Sequence, residues 1–169
     1  MKLRKTGRPV ALTNLPEFNV FVFALLLNYP WELIQAPLYE GMAAARHWEA
    51  VKVCTRATLG DGAIMLLAYW VVAAAKRNRW WLLHPMAFER ASFVAVGATV
   101  TIVLESLATQ SDHAQWGWRY AEAMPIVPGI GVGLSPLLQW IILPLLLLWF
   151  VQRQLNGLAS KESNRAPWQ

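Results

Sequence analysis

A chain of 169 residues that is 56% hydrophobic, with a mean hydropathy of +0.34 and 10 Trp, is too apolar and too rich in indole for a soluble domain of its length. The net charge of +5 does not point to nucleic acid, because the basic residues sit in short runs between apolar segments, where they set orientation. The single cysteine, Cys54, excludes an internal disulfide and any Cys-based zinc or iron–sulfur site.

The basic start (Lys2, Arg4, Lys5, Arg8) is followed by an apolar run from Phe18, and no small-residue cleavage site closes it, so no signal peptide is expected. A helix crossing about 30 Å of hydrocarbon needs about 20 mostly apolar residues. Four segments meet this: 18–38, 57–75, 91–109 and 130–151. Their length and lack of period-2 alternation exclude strands. Asn14 and Pro16-Glu17 mark the start of the first helix. The stretch 39–56, carrying His47-Trp48-Glu49, reads as a loop with a short interfacial helix. Trp80-Trp81 and Trp149-Phe150, each beside arginine, read as interfacial anchors. The expected architecture is all-α and polytopic. One domain, 1–155, holds four transmembrane helices in a bundle, and a loose polar tail follows at 156–169.

Orientation follows from the basic residues. With both termini in the cytoplasm, the inner segments hold Lys2, Arg4, Lys5, Arg8, Lys76, Arg77, Arg79, Arg90, Arg153, Lys161 and Arg165. The outer loops hold only Arg46, Lys52, Arg56 and Arg119. This asymmetry predicts N-in, C-in topology.

An ionisable side chain at mid-bilayer costs about 2.5–3.5 kcal/mol on insertion scales, so each one needs a reason. Glu32, Asp61 and Glu105 fall within three different spans, all toward the outer side. In the first helix Asn28, Glu32, Gln35 and Tyr39 step by four, three and four, which places them on one face. Thr58 and Asp61 share a face of the second. Thr101, Glu105 and Thr109 share one in the third, continued by Asp112, and Ser135 and Gln139 in the fourth. Such stripes turn away from lipid and predict a polar chamber in the outer half of the bundle. Pro30, Pro37, Pro136 and Pro144 are expected to interrupt helices one and four, and Gly129, Gly131 and Gly133 to begin helix four loosely. The acids have a second reading, as packing groups paired with Arg56, Arg119 or backbone donors. His47 and His113 lack a short ligand spacing with Asp61 and Glu105, so no metal is expected. Cys54 reads as a small apolar filler at a helix start. No glycine-rich phosphate loop is present.

The polar run from Glu105 to Pro125 separates helices three and four. Glu105, Trp118-Arg-Tyr120, Met124-Pro125 and Gly133-Leu-Ser-Pro-Leu-Leu-Gln-Trp140, together with Pro30-Trp31-Glu32 and Gly60-Asp61, resemble the pattern of an uncharacterised family of small bacterial multi-pass membrane proteins. More distantly, residues 105–144 resemble the membrane-integral lycopene cyclase domain. Where the cyclase pattern places paired glutamates, this chain has Leu138 and Gln139. The resemblance implies a bacterial inner (plasma) membrane location.

Two functions fit. In the first, the protein acts on or binds an apolar isoprenoid or lipid. A carboxyl in an apolar site keeps its proton more readily and can donate it, and indole faces stabilise a carbocation. Glu32, Asp61 and Glu105 are the candidate catalytic acids. Asn28, Trp31, Gln35, Trp118, Arg119, Tyr120 and Gln139 are the candidate ligand-binding residues. In the second, the chain is a non-enzymatic membrane subunit, a small transporter, or a quinone or pigment binder. Ala95, Gly97 and Ala98 then favour close helix contact. Expected partners are membrane lipids, an apolar small-molecule ligand, and a membrane-protein partner or second copy, with no nucleic acid. No residue points to a particular cofactor.

Overall fold

The computed structural model describes residues 11–110 and 117–165. The basic residues Lys2, Arg4, Lys5 and Arg8, and Asp112 and His113, lie outside the described residues. Four long helices account for most of the described chain: α1 (Pro16–Gln35), α2 (His47–Lys76), α3 (Ala87–Gln110) and α4 (Leu134–Arg165). Among the described residues there is no strand, only two isolated antiparallel bridges, Tyr39 with Tyr120 and Ile126 with Gly133. Three of the helices are long and apolar enough to cross a membrane, over His47–Lys76, Ala87–Thr109 and Leu134–Leu158.

Each helix packs on two neighbours. α1 lies against α2 and α4, and α3 lies against the same two from the other side. The bundle therefore has an upper end, where the chain turns between α1 and α2 and between α3 and α4, and a lower end, where α2 turns into α3. Lipid tails are as apolar as Leu, so close backbone approach holds such helices together better than burial does. Gly62 illustrates this: a Cβ there would lie 3.1 Å from both Phe21 and Leu25 of α1. At Gly97 of α3 a Cβ would come within 2.1 Å of the Trp140 ring of α4. The core runs through Val20, Ala24, Met65, Ala68, Tyr69, Phe93, Trp140 and Leu147. Outside it the surface stays apolar, with Leu26 61%, Ile34 78% and Phe88 76% exposed.

Local chemistry fixes the helix ends. Pro16 opens α1 where an N–H would have no partner, and Glu17 in the first turn suits the helix dipole. The Asn19 amide reaches back to the Thr13 and Leu15 carbonyls at 2.7 and 2.8 Å. Arg77 ends α2 in the left-handed region at φ 51. At the lower end Glu17 pairs with Arg79, Lys76 with Glu89 at 2.7 Å, and the Tyr69 hydroxyl donates to the Arg79 carbonyl at 2.6 Å.

Several expectations need correction. α2 begins at His47, ten residues before the apolar run, so 47–56 is helix and not loop with a separate short helix. α4 begins at Leu134, and its helix continues through Arg165, where a loose tail was expected after residue 155. Only Pro30 and Pro144 lie inside helices. Pro37 sits in the 3-10 turn Ala36–Leu38 that follows α1, and Pro136 occupies the first turn of α4, where proline is tolerated. Gly129 and Gly131, at φ 83 and 72, form the turn before α4 and not its first residues. Trp80 is exposed, but Trp81 is a core residue, stacked on Tyr69 and edge-on to Phe93.

Candidate functional site

The polar stripe of α1 faces the bundle interior, and Gln139 of α4 is the hub it meets. Gln139 Nε2 lies 2.8 Å from Asn28 Oδ1, 3.1 Å from Glu32 Oε1 and 3.0 Å from Asp61 Oδ2. Its two N–H bonds are thus shared among three acceptors on two helices. Gln35 Nε2 donates to Glu32 Oε1 at 2.7 Å and to Gln139 Oε1 at 3.1 Å. Gln35 Oε1 accepts from the Ser135 hydroxyl at 2.8 Å and the Trp31 indole at 3.2 Å. The Asn28 amide bonds the Ala24 carbonyl of its own helix at 2.8 Å. Asn28, Glu32, Gln35 and Gln139 are all buried. These neutral amides are what make two adjacent carboxyls tolerable.

Glu105 of α3 belongs to a second cluster, nearer the upper end. Its carboxyl accepts from the Tyr39 hydroxyl at 3.3 Å, the Trp118 indole at 3.0 Å and the Tyr120 hydroxyl. Three donors from two loops therefore converge on one acid. Backbone bonds strengthen the junction: Glu40 N to Arg119 O at 2.9 Å, Ala121 N to Leu38 O at 2.9 Å and Trp118 N to Ala108 O at 3.3 Å. Burial and the Glu105 charge push the Tyr39 phenol above its ordinary value. Burial and the bond to Glu105 do the same for Tyr120. Both therefore remain protonated donors at neutral pH.

Between the two clusters lies a cavity of about 480 Å³, within the range of small-molecule sites. Its polar wall includes Glu32, Gln35, Asp61, Glu105 and Gln139, and its aromatic wall Tyr39, Trp118 and Trp140. Along α2 the wall is Val53, Ala57, Gly60 and Ile64, spaced by four, three and four on one face, and opposite it stands Leu104 of α3. Val53, Gly60 and Leu104 are exposed on the bundle exterior, so the cavity reaches the surface between α2 and α3. Buried in the same wall, the Thr101 hydroxyl and Trp140 indole N–H have no hydrogen-bond partner among the described residues.

All three candidate acids line this cavity, together with Gln35, Gln139 and Trp118. Asp61 sits mid-way along α2 rather than in its first turns, a consequence of the early helix start. Asn28, Trp31 and Tyr120 stand behind the wall and are hydrogen-bonded to its Gln139, Gln35 and Glu105, respectively. Arg119 has an exposed side chain outside the cavity wall, and the bond it makes to Glu40 is through its backbone carbonyl. Among the described residues the acids' hydrogen-bond partners are amides, hydroxyls, an indole and, for Glu32 and Asp61, each other, where arginines or backbone donors were the alternative. Cys54 is buried two turns inside α2, its Sγ 3.6 Å from the Glu32 carbonyl. Sequence reasoning missed Arg56, Trp140 and the small-residue face Ala57/Gly60 as wall residues. The four-three-four spacing of that face was the available signal. Among the described residues no group of three His, Cys, Asp or Glu is arranged to hold a metal ion.

Scanned against protein-family models, the chain matches none, and no curated protein and no solved structure matches it.

Proposed function

We propose that the protein is a four-span, multi-pass protein of a bacterial plasma membrane, with both termini cytoplasmic, and that its cavity holds an apolar isoprenoid or lipid ligand by the ligand's polar end. α1 is the fourth span in this reading. At 20 residues it is about 30 Å long. The residues that lower its hydropathy, Asn19, Asn28, Glu32 and Gln35, are all buried, whereas Leu26, Leu33 and Ile34 face outward. The asymmetry of the basic residues supports an upper end, and with it the cavity, on the outer side.

The observation that carries the ligand reading is the cavity itself. Carboxyls from three helices line it, while its rim is made of outward-facing apolar residues. A molecule with a polar end and an apolar body matches both. Glu32 and Asp61 are the groups that meet the polar end. Glu105 is already engaged by three donors and holds the loop that carries Trp118. Acid chemistry on a bound isoprenoid would fall to the Glu32–Asp61 pair. At the position where the cyclase pattern has glutamate, Gln139 instead donates to both acids.

Native mass spectrometry with lipid extraction, on protein purified in mild detergent, tests this. A stoichiometric isoprenoid, quinone, pigment or lipid is the expected result. An empty protein bound to another polypeptide would make the acids packing groups and overturn the reading.

A further inference from the structure

We infer that the polar end of the ligand is a protonated amine, so that the cavity takes a single-chain lipophilic ammonium compound arriving sideways from the bilayer between α2 and α3. This rests on the proposal that the cavity binds an amphiphile, and it adds the chemistry of the head and the route.

Three independent features support the choice of head. The first is hydrogen-bond capacity. The donors that reach the acids, Gln35, Gln139, Tyr39, Trp118 and Tyr120, already serve Glu32 Oε1, Asp61 Oδ2 and the Glu105 carboxyl. Glu32 Oε2 and Asp61 Oδ1 receive no amide, hydroxyl or indole donor among the described residues, and the Thr101 hydroxyl in the same wall is unpartnered. Glu32 and Asp61 also share a hydrogen bond with each other, and the Trp140 indole N–H is an unpartnered donor on this wall. The carboxyl oxygens and the Thr101 oxygen still leave several acceptor positions, which a group with several N–H bonds satisfies.

The second is charge. The cavity is lined by Glu32, Glu40, Asp61 and Glu105 against a single guanidinium, Arg56. A phosphate or carboxylate head would meet the carboxyl oxygens of the Glu32–Asp61 pair, which repel an anion even when the two share one proton. An alcohol could donate one hydrogen bond and leave the charge uncompensated. An ammonium group does both, and in a low-dielectric wall such pairing is stronger than in water. The third is aromatic: Tyr39, Trp118 and Trp140 line the same space, and aromatic rings attract cations.

The route follows from the rim. Ala57 and Gly60 leave a gap in α2 beside Leu104 of α3, and a Cβ added at Gly60 would meet nothing within 4 Å. The flanking Val53 and Leu104 are exposed on the exterior, so an alkyl chain can lie in the gap with its end in the bilayer. Across the upper end, Trp118 and the bonds between residues 38–40 and 119–121 cover the cavity.

The test uses the full chain in zwitterionic nanodiscs at pH 7, titrated with dodecylamine and with 1-dodecanol, and read by native mass spectrometry. The expected result is at least about tenfold tighter binding of the amine. Glu32→Gln and Asp61→Asn, made separately, each bring the two probes to within about twofold. Leu67→Ala, on the lipid face, keeps the preference. Equal or tighter binding of the alcohol overturns the amine assignment while leaving an amphiphile site in place. A preference that survives both acid variants also overturns it, because it would then come from the bilayer. Binding of neither probe overturns the cavity reading itself.

Discussion

Replacing Gln139 by Leu removes the hub of the polar layer while nearly conserving volume, so its cost isolates the hydrogen bonds. Gln139 accepts from Gln35 and donates toward Asn28, Glu32 and Asp61 at 2.8–3.1 Å. After the change Glu32 keeps the Gln35 amide. Asn28 Oδ1 and Asp61 Oδ2 lose the side-chain donor described for them. Stranding a buried acceptor costs about 1–3 kcal/mol, giving about 2–6 kcal/mol for the two. Interhelical bonds in membranes average only about 0.6 kcal/mol each, so the lower end, about 2–3 kcal/mol, is expected. The assay is reversible unfolding of detergent-solubilised protein, followed by far-UV circular dichroism. A double-mutant cycle with Asp61→Leu separates the pair: the second change should cost at least about 1 kcal/mol less once the first is present. A Gln139→Leu protein as stable as the wild type, or full additivity in the cycle, would refute the claim that Gln139 holds these carboxyls.

Three further outcomes are expected. Gly97→Ala should lose about 1–3 kcal/mol in the same unfolding assay, because its Cβ would come within 2.2 Å of two atoms of the fully buried Trp140 ring, whereas Gly60→Ala meets open space and should cost nothing. Glu105→Leu should release the loop it holds, speeding exchange of the Glu40 and Ala121 amides about tenfold, with core amides of α1 unchanged; uniform acceleration would show global destabilisation instead. Tyr39 and Tyr120 have folded-state values above the unfolded value of about 10. Their contribution is therefore complete below about pH 10 and is lost as pH rises beyond it, and tyrosinate absorbance should show the Tyr39 and Tyr120 phenols ionising only as the fold is lost, with either Tyr→Phe change removing its share of that late step.

The polar layer was legible because helical geometry is periodic. Asn28, Glu32 and Gln35 share one face of a helix, and all three are buried, as a polar stripe in an otherwise apolar helix requires. Gln139 was visible for the same reason. Hydropathy, however, reports contact with lipid and not helix. Glu49, Lys52 and Arg56 made residues 47–56 look like a loop, yet they sit on an exposed helical overhang, where Lys52 pairs with Glu49 one turn earlier. The same applies to the end of α4, where polar residues around Gly157 continue the helix and the Ser160 hydroxyl bonds back to the Gly157 carbonyl. The position of Arg119 outside the cavity wall was not legible, because loop residues can contribute through backbone as readily as through side chain. Trp81 was misread because an indole beside arginine reads the same in sequence whether it faces headgroups or core. The cavity was not legible as a volume. It depends on Ala57 and Gly60 leaving a gap whose opposite wall is about 45 residues away in sequence.

The ligand-bearing cavity is tested most directly by filling it. Gly60→Phe adds its side chain at a position lining the cavity where a Cβ meets nothing within 4 Å, so stability should be retained. Wild-type and Gly60→Phe proteins, purified side by side, are compared by native mass spectrometry and lipid extraction. The wild type should carry one apolar molecule per chain and the filled variant none, with matching unfolding curves. The same lipids at the same substoichiometric level in both would contradict the account.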